Sequence, residues 1–542
     1  MKSIRSSRRR PVSWSTSYLL REPFGISIRT SNSNGSSKVG TDRIQVSPTG
    51  VSARERGRSV GAGGGAVRRR RGTAAGLIGA ALLAAGTALG AGGAYAQPIP
   101  TPGGSGSPAA PSGPATGAVL AAAGTGPEAA VPTAKGLQQA LGPYVSDRNL
   151  GTVSVAVADA ADGQVLYGSG ENVPGTPAST TKLATSVAAL SLIPGDTRLT
   201  TRVVRGADPG TVTLVGGGDP TLTALPADQV QIGGRPADAD TAPASLEALA
   251  RQTAAALKAA GTTRVKLDYD LSLYTGSPQH RTNPDNYNIA LVVPLMVDEA
   301  KVDPKSREEA PERFADPADA AATTFATMLA AQGVTVDGKA GPAAAPAAAD
   351  APVLGKVDSP TVARLVERLL TDSDNQLAEA IARQVAIAAH QPAGFEGAAA
   401  AVTQQLTRLG VPMTGVVLND GSGLHKGNQI PPAALVRILA LAASDQHPAL
   451  RPVLTGLPVA GFTGTLGKRY GSGSGAADAA GLVRAKTGTL SGVNTLAGTV
   501  VDADGRLLTF AVMSRTADTV PADTVRAALD RIAAHLASCG CH

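Results

Sequence analysis

Residues 177–185 read PASTTKLAT and place Ser179 three positions ahead of Lys182. From Leu183 onward the apolar residues of STTKLATSVAALSLI recur at helical spacing, so Ser179 falls at or beside a helix N-terminus. Positions i and i+3 share one helix face, which brings the lysine amine within reach of the serine hydroxyl. A serine becomes a nucleophile only beside a base, and a lysine qualifies when burial and neighbouring positive charge lower its pKa enough to populate the neutral amine. The competing reading is a helix-capping serine with a solvated lysine. What else the chain carries decides between them.

Two further motifs follow in order. Ser373-Asp374-Asn375 lies in TDSDNQLAE, just before a helix that begins near Gln376 and where a plain turn or cap is the competing reading, and Lys486-Thr487-Gly488-Thr489 lies in the strand-like RAKTGTL. Ser-x-x-Lys, Ser-x-Asn and Lys-Thr-Gly each occur once after residue 96, and in this order they are the three elements of penicillin-binding proteins and serine β-lactamases. A Ser-His-Asp enzyme is poorly supported, because no G-x-S-x-G elbow is present after residue 96.

Around these motifs the chain has the composition of a globular protein: 542 residues, 43% hydrophobic, 17% charged and only 3% aromatic, so Ala, Val and Leu build its core. The net charge of +7 does not belong to the folded part. Residues 1–96 hold 16 Lys and Arg against 3 Asp and Glu, which leaves 33 (49 less 16) against 39 (42 less 3) downstream, a net of −6. Nothing in the charge suggests a polyanion-binding body, and no nucleic-acid partner is expected.

The basic N-terminal segment reads as an export device. Arg68–Arg71 precede an uncharged run at 73–94, and Ala94-Tyr95-Ala96 matches a signal-peptidase site, so 68–96 is expected to be a signal peptide with Gln97 as the first mature residue. An uncleaved membrane anchor is the alternative. Residues 1–67 are expected to be a disordered extension ahead of the true start of translation. Residues 97–132, rich in Pro, Gly and Ala, read as a linker, and the terminal Cys539-Gly540-Cys541-His542 as a frayed tail in which a disulfide would be strained. Secretion to the extracytoplasmic face or cell wall follows, with membrane contact only through the signal or anchor segment.

Order is expected from Thr133. TVSVAVAD and QVLYG form a hairpin; between 200 and 355 two short strands, a glycine-rich turn at Gly216–Gly218, two helices and another strand read as an inserted domain that ends in the linker-like GPAAAPAAADAPVLG. From Ser359 the pattern is helical, then LVRAKTGTL and VNTLAGTVVDADGRLLTFAVMS return to strands before a last helix. A hairpin-rich sheet split by a helical section is an α/β sandwich, not a parallel doubly wound sheet.

With LVGGGDPTL, NDGSGL and LPVAGFTGTLGKR beside the three motifs, residues 133–538 resemble the class C low-molecular-mass penicillin-binding proteins, the D-alanyl-D-alanine carboxypeptidase/endopeptidase family, and the Ala-rich composition is similar to actinobacterial members. The resemblance implies an α/β transpeptidase/β-lactamase-like domain (133–199 and 356–538), an antiparallel sheet flanked by helices plus a helical subdomain, interrupted by one inserted α+β domain. The two motif serines stand 194 residues apart (373 less 179), far more than compact β-lactamases allow. The stretch 302–319 is too short for the further domain many relatives carry.

The same resemblance implies a serine DD-peptidase acting on D-Ala-D-Ala termini or cross-links of peptidoglycan through an acyl-serine, with β-lactamase or esterase as the alternative. Ser179 is then the nucleophile, with Lys182 and Ser373 as the proton relay. Asn375 orients the substrate, Lys486 supplies fixed positive charge, and Thr487 and Thr489 hold a terminal carboxylate. The backbone N–H groups of Ser179 and Thr489 stabilise the oxyanion. Asp420, Ser422 and Gly423 shape a loop near the site. Peptidoglycan stem peptides and, as covalent inhibitors, β-lactams are the expected partners; no metal or organic cofactor is expected.

Overall fold

The computed structural model describes residues 129–282, 287–306, 308 and 310–542. The N-terminal extension, the signal segment and nearly all of the 97–132 linker lie outside the described residues. Helix α1 (Ala134–Val145) starts where Thr133 caps it, the hydroxyl accepting from Gly136 N. The alternating TVSVAVAD becomes β1 (Thr152–Asp159), which turns into β2 (Val165–Ser169). One 3-10 turn at Ala178–Thr180 then leads into α2 (Thr181–Leu192).

Next come β3 (Arg198–Arg205), β4 (Thr211–Val215), the small hairpin of β5 (Gln231–Ile232) and β6 (Arg235–Pro236), α3 (Leu246–Ala259), β7 (Arg264–Asp270) and α4 (Pro317–Ala331). Strands β8 (Thr335–Val336), β9 (Gly341–Pro342) and β10 (Val353–Thr361) follow. The helical section holds α5 (Val362–Asp372), α6 (Asn375–Ala388), α7 (Phe395–Arg408), α8 (Pro432–Ala443) and α9 (Arg451–Thr455). Strands β11 (Arg484–Leu490), β12 (Val493–Val501) and β13 (Leu507–Arg515) precede the final α10 (Ala522–Ala537).

The first sheet has the order β11-β12-β13-β1-β2 and is antiparallel throughout. Its centre joins the two halves of the chain, Thr152 of β1 opposite Arg515 of β13. Successive strand side chains point to opposite faces. Val155 and Val157 therefore enter a core with α1 and α10, whereas Ala156, Ala158 and Ala511 face the core of α2, α5, α6 and α8. Alanine on that face brings α8 close to β1 and β13, and α2 rests beside it with Ser179 at its mouth.

The second sheet, order β10-β3-β4-β7-β8 with β9 also on β7, draws all its strands from 198–361 and has its own core around Leu214, Leu249, Phe325 and Leu329. Pairs β4/β7 and β7/β8 are parallel, which requires crossovers, and α3 and α4 provide them. The sheet is thus mixed with crossover helices rather than the segregated α+β arrangement expected. Its limits also differ from 200 and 355, because the supposed linker ends in β10. Gly355 and Pro360 disguise that strand; Gly355 is there because a Cβ would lie 2.9 Å from Thr253 Oγ1 of α3.

The tail does not fray. Thr133 N and Oγ1 donate to the Cys541 carbonyl at 2.7 and 3.2 Å, Cys539 is buried, and Cys539 and Cys541 are paired as a disulfide. Gly136 permits the approach, since a Cβ there would meet the Cys541 carbonyl oxygen at 2.2 Å. Among the described residues no helix is long and apolar enough to cross a membrane.

Candidate active site

Ala178 holds φ +49°, a left-handed conformation that a residue with a side chain rarely adopts, immediately before Ser179. The surroundings fix it. Thr180 Oγ1 and Thr495 Oγ1 donate to the Pro177 carbonyl at 2.7 and 2.9 Å. A Cβ on Gly488 would lie 2.7 Å from that carbonyl oxygen, and one on Gly423 1.9 Å from the Ala178 carbonyl oxygen. The glycines of Lys-Thr-Gly and Asp-Gly-Ser-Gly therefore let two backbones close on the turn that presents Ser179.

Lys182, one turn on, is completely buried, with its Nζ 3.0 Å from Ser179 Oγ, 2.7 Å from Asn375 Oδ1 and 2.7 Å from the Ser422 carbonyl. Burial lowers its pKa to about 8 against the opposing attraction of Asp420, Asp374 and Glu379. A neutral amine has two N–H donors and one lone pair. The two shorter contacts take the donors, so the lone pair faces the Ser179 hydroxyl.

Ser373 sits at φ +59° in the break between α5 and α6, where Asp374 caps α6 by accepting from Leu377 N. This break turns one continuous helical pattern into two helices and aims Ser373 and Asn375 at the site. Ser373 Oγ is 2.8 Å from Lys486 Nζ, and among the described residues no hydrogen bond joins it directly to Lys182. The Asn375 side chain is held at both ends, Oδ1 by Lys182 and Nδ2 by the Asn288 carbonyl at 3.2 Å.

Lys486 lies inside the protein. Its amine is fully buried and donates to Ser373 Oγ and to the Thr487 carbonyl at 2.9 Å; burial first, and the charge of Lys182 second, hold its pKa well below the ordinary lysine value. Such an amine ties Ser373 to β11 and is out of reach of solvent. Thr487 and Thr489 line the open edge of β11, an edge strand of its sheet, with Thr487 Oγ1 2.8 Å from Thr465 Oγ1 and Thr489 Oγ1 3.4 Å from Arg526 Nη2.

Behind Lys182 lies a buried polar layer, of which sequence reasoning reached the Asp420–Gly423 loop but missed Glu379 and His280. Glu379 Oε1 accepts from Gly421 N and Ser422 N at 3.0 and 2.8 Å, and Asp420 accepts from Gly423 N, His425 N and Asn428 Nδ2. These bonds present the Ser422 carbonyl to Lys182. His280 Nδ1 accepts from Thr282 N, so its Nε2–H donates to Asp420 Oδ2 at 2.9 Å. Both ring nitrogens are engaged away from Ser179, which removes a Ser-His-Asp reading despite the buried His–Asp pair. His280, Glu379 and Asp420 bring ligand-type atoms within 4.8 Å of one another, a set suited to a cation by donor type, but each of these atoms faces a donor or a partner within the set. In the sequence NDGSGL signalled the loop, and NQLAE, which places Glu379 one helical turn after Asn375, was the available signal for the carboxylate behind it.

A serine in contact with a buried lysine amine, a second serine tied to a second lysine, and an open strand edge beside them form the constellation of an acyl-transferring serine hydrolase of the penicillin-binding class. The chain belongs to the D-Ala-D-Ala carboxypeptidase 3 (S13) family, whose model matches residues 137–312 and 304–536. It is a serine-type, penicillin-binding D-Ala-D-Ala carboxypeptidase. It is 36% identical over 425 residues to Carboxypeptidase DacB of Mycolicibacterium smegmatis and 35% identical over 422 residues to Carboxypeptidase Rv3627c of Mycobacterium tuberculosis, in each case over 76% of this chain and 86% of the relative. In fold it is similar to penicillin binding protein 4 of Haemophilus influenzae, with TM-score 0.55 and 20% identity over 72% of this chain and 97% of that one.

Proposed function

We propose that the chain is exported and trims peptidoglycan stem peptides, or opens cross-links that end in the same D-alanyl bond, with Ser179 as nucleophile and Lys182 as its base. The carrying observation is the 3.0 Å contact between Ser179 Oγ and the buried amine of Lys182. Lys182 takes the Ser179 proton as the Oγ–carbon bond forms. As the carbon–nitrogen bond to the terminal D-alanine breaks, the proton passes to the leaving amine, with Ser373 as the relay held by Lys486. Water then repeats the sequence on the acyl-serine, Lys182 accepting its proton and returning one to Ser179.

In this reading Asn375 supports Lys182 as much as it orients substrate, and the Ser179 and Thr489 N–H groups receive the oxyanion. The second sheet is read as a single inserted domain, and residues 68–96 as the export signal. Labelling by a fluorescent penicillin tests the scheme: the wild type is expected to form a long-lived adduct and to release D-alanine from a D-Ala-D-Ala peptide, and Ser179→Ala to do neither. Rapid turnover of the penicillin instead would favour a β-lactamase.

A further inference from the structure

The geometry points to Arg526 as the cation that binds the substrate's terminal carboxylate, a specificity-determining residue outside all three motifs. The inference rests on the peptidase reading above, because only such a substrate brings that carboxylate to the edge of β11. Two threonine hydroxyls on that edge are neutral, and a carboxylate leaving water needs a charged partner as well. Lys486 does not fill that role: its amine is buried, it is directed to Ser373 Oγ and the Thr487 carbonyl, and its pKa is pushed down.

Arg526 does have the placement. It projects from α10 over the end of β11, its Nη2 3.4 Å from Thr489 Oγ1, and its side chain is 36% exposed. A guanidinium keeps its charge at every working pH and offers a planar pair of donors that matches a carboxylate. Its present acid partner is Asp523, 3.0 Å away on the same helix and 92% exposed. Exposed pairs of this kind are weak, so a substrate carboxylate displaces it readily.

The helix itself is fixed relative to the strand edge. Arg469 donates through Nε and Nη2 to Asp530 at 2.9 and 2.6 Å and through Nη2 to the Arg526 carbonyl at 3.2 Å. The same loop carries Thr465, which touches Thr487. Thr465, Thr487, Thr489 and Arg526 thus form one polar strip along the open edge, with the guanidinium at its end.

The test compares acylation by benzylpenicillin, which carries a carboxylate, with acylation by its methyl ester, followed by mass spectrometry. The wild type is expected to prefer the acid. In Arg526→Ala the acid-to-ester rate ratio is expected to fall about 10- to 100-fold, the size of one charge-assisted hydrogen bond. Arg526→Lys is expected to lie between, and Asp523→Asn to keep the ratio or raise it. Equal losses on both probes, an unchanged ratio, or a wild type without preference overturns the assignment while leaving the enzyme a penicillin-reactive serine peptidase. A wild type acylated by neither probe, and inactive on D-Ala-D-Ala peptide, overturns the peptidase reading and this one with it.

Discussion

His280 Nε2 lies 2.9 Å from Asp420 Oδ2, and both side chains are 1% exposed. A residue from the segment between β7 and α4 is thereby bonded to the loop whose Ser422 carbonyl holds Lys182. His280→Ala removes one donor from a buried carboxylate, which is expected to destabilise the fold by about 1–3 kcal/mol. A slower penicillin acylation should accompany the lower Tm, because the loop no longer fixes Lys182. An unchanged acylation rate in a folded variant would confine His280 to stability.

The pH profile of acylation should report Lys182. Its pKa of about 8 means that the amine is mostly protonated at pH 6 and mostly neutral above pH 8. Only the neutral form accepts the Ser179 proton, so the rate should rise from pH 6 and level above about 8. Lys182→Ala should slow acylation by about 10²- to 10⁴-fold, the usual contribution of a positioned base, and should lose the rise.

Gly488→Ala tests the contact between β11 and the nucleophile turn. The new Cβ would lie 2.2 Å from Thr495 Oγ1 and 2.7 Å from the Pro177 carbonyl oxygen, so β11 must move away from Ser179. The expected cost is about 1–3 kcal/mol of stability, as for overpacked sites, together with a larger loss of acylation. Thermal melts and labelling rates on the same preparation check both; an unperturbed rate would show that the strand edge is not part of the site.

Asp374 is paired with Glu299, and the pair sets a pH dependence of stability. Burial first, and the neighbouring Glu299 second, raise Asp374 to about 7. Glu299, which burial alone would raise, is held at about 2 by Arg368 and Lys301. For Asp374 the folded pKa exceeds the unfolded value, so the unfolded chain loses its proton first and stability falls as pH rises from about 4 to 7. Asp374→Asn removes that loss while keeping an oxygen to cap α6. Its Tm advantage over the wild type should open between pH 4 and 7 and stay constant above; an advantage independent of pH would contradict the raised Asp374 pKa.

Much of the fold was legible because local patterns carried it. The alternation in TVSVAVAD, the Asp-Gly turn between β12 and β13, and the helical period after Leu183 each appear as drawn. Strand β10 was not legible: Gly355 suits its close packing on α3 yet reads as a linker residue, and from Ser359 the pattern reads as helical. The tail was misread for a similar reason, since its anchor is a backbone bond to Thr133 more than 400 positions away, which no local signal encodes.

The candidate site divides along the same line. Sequence by itself determined the chemical inventory, Ser179 with Lys182, Ser373 with Asn375, and Lys486 with its threonines, because catalytic side chains of this kind occur at short fixed spacings within single elements. Only the tertiary structure decided what each group does there. It buried Lys182 so that its pKa falls to about 8, withdrew Lys486 from solvent, set Glu379, Asp420 and His280 behind Lys182, and brought Arg526 to the strand edge. Burial and charge at a point depend on every segment that converges on it, and in this chain those segments lie hundreds of residues apart.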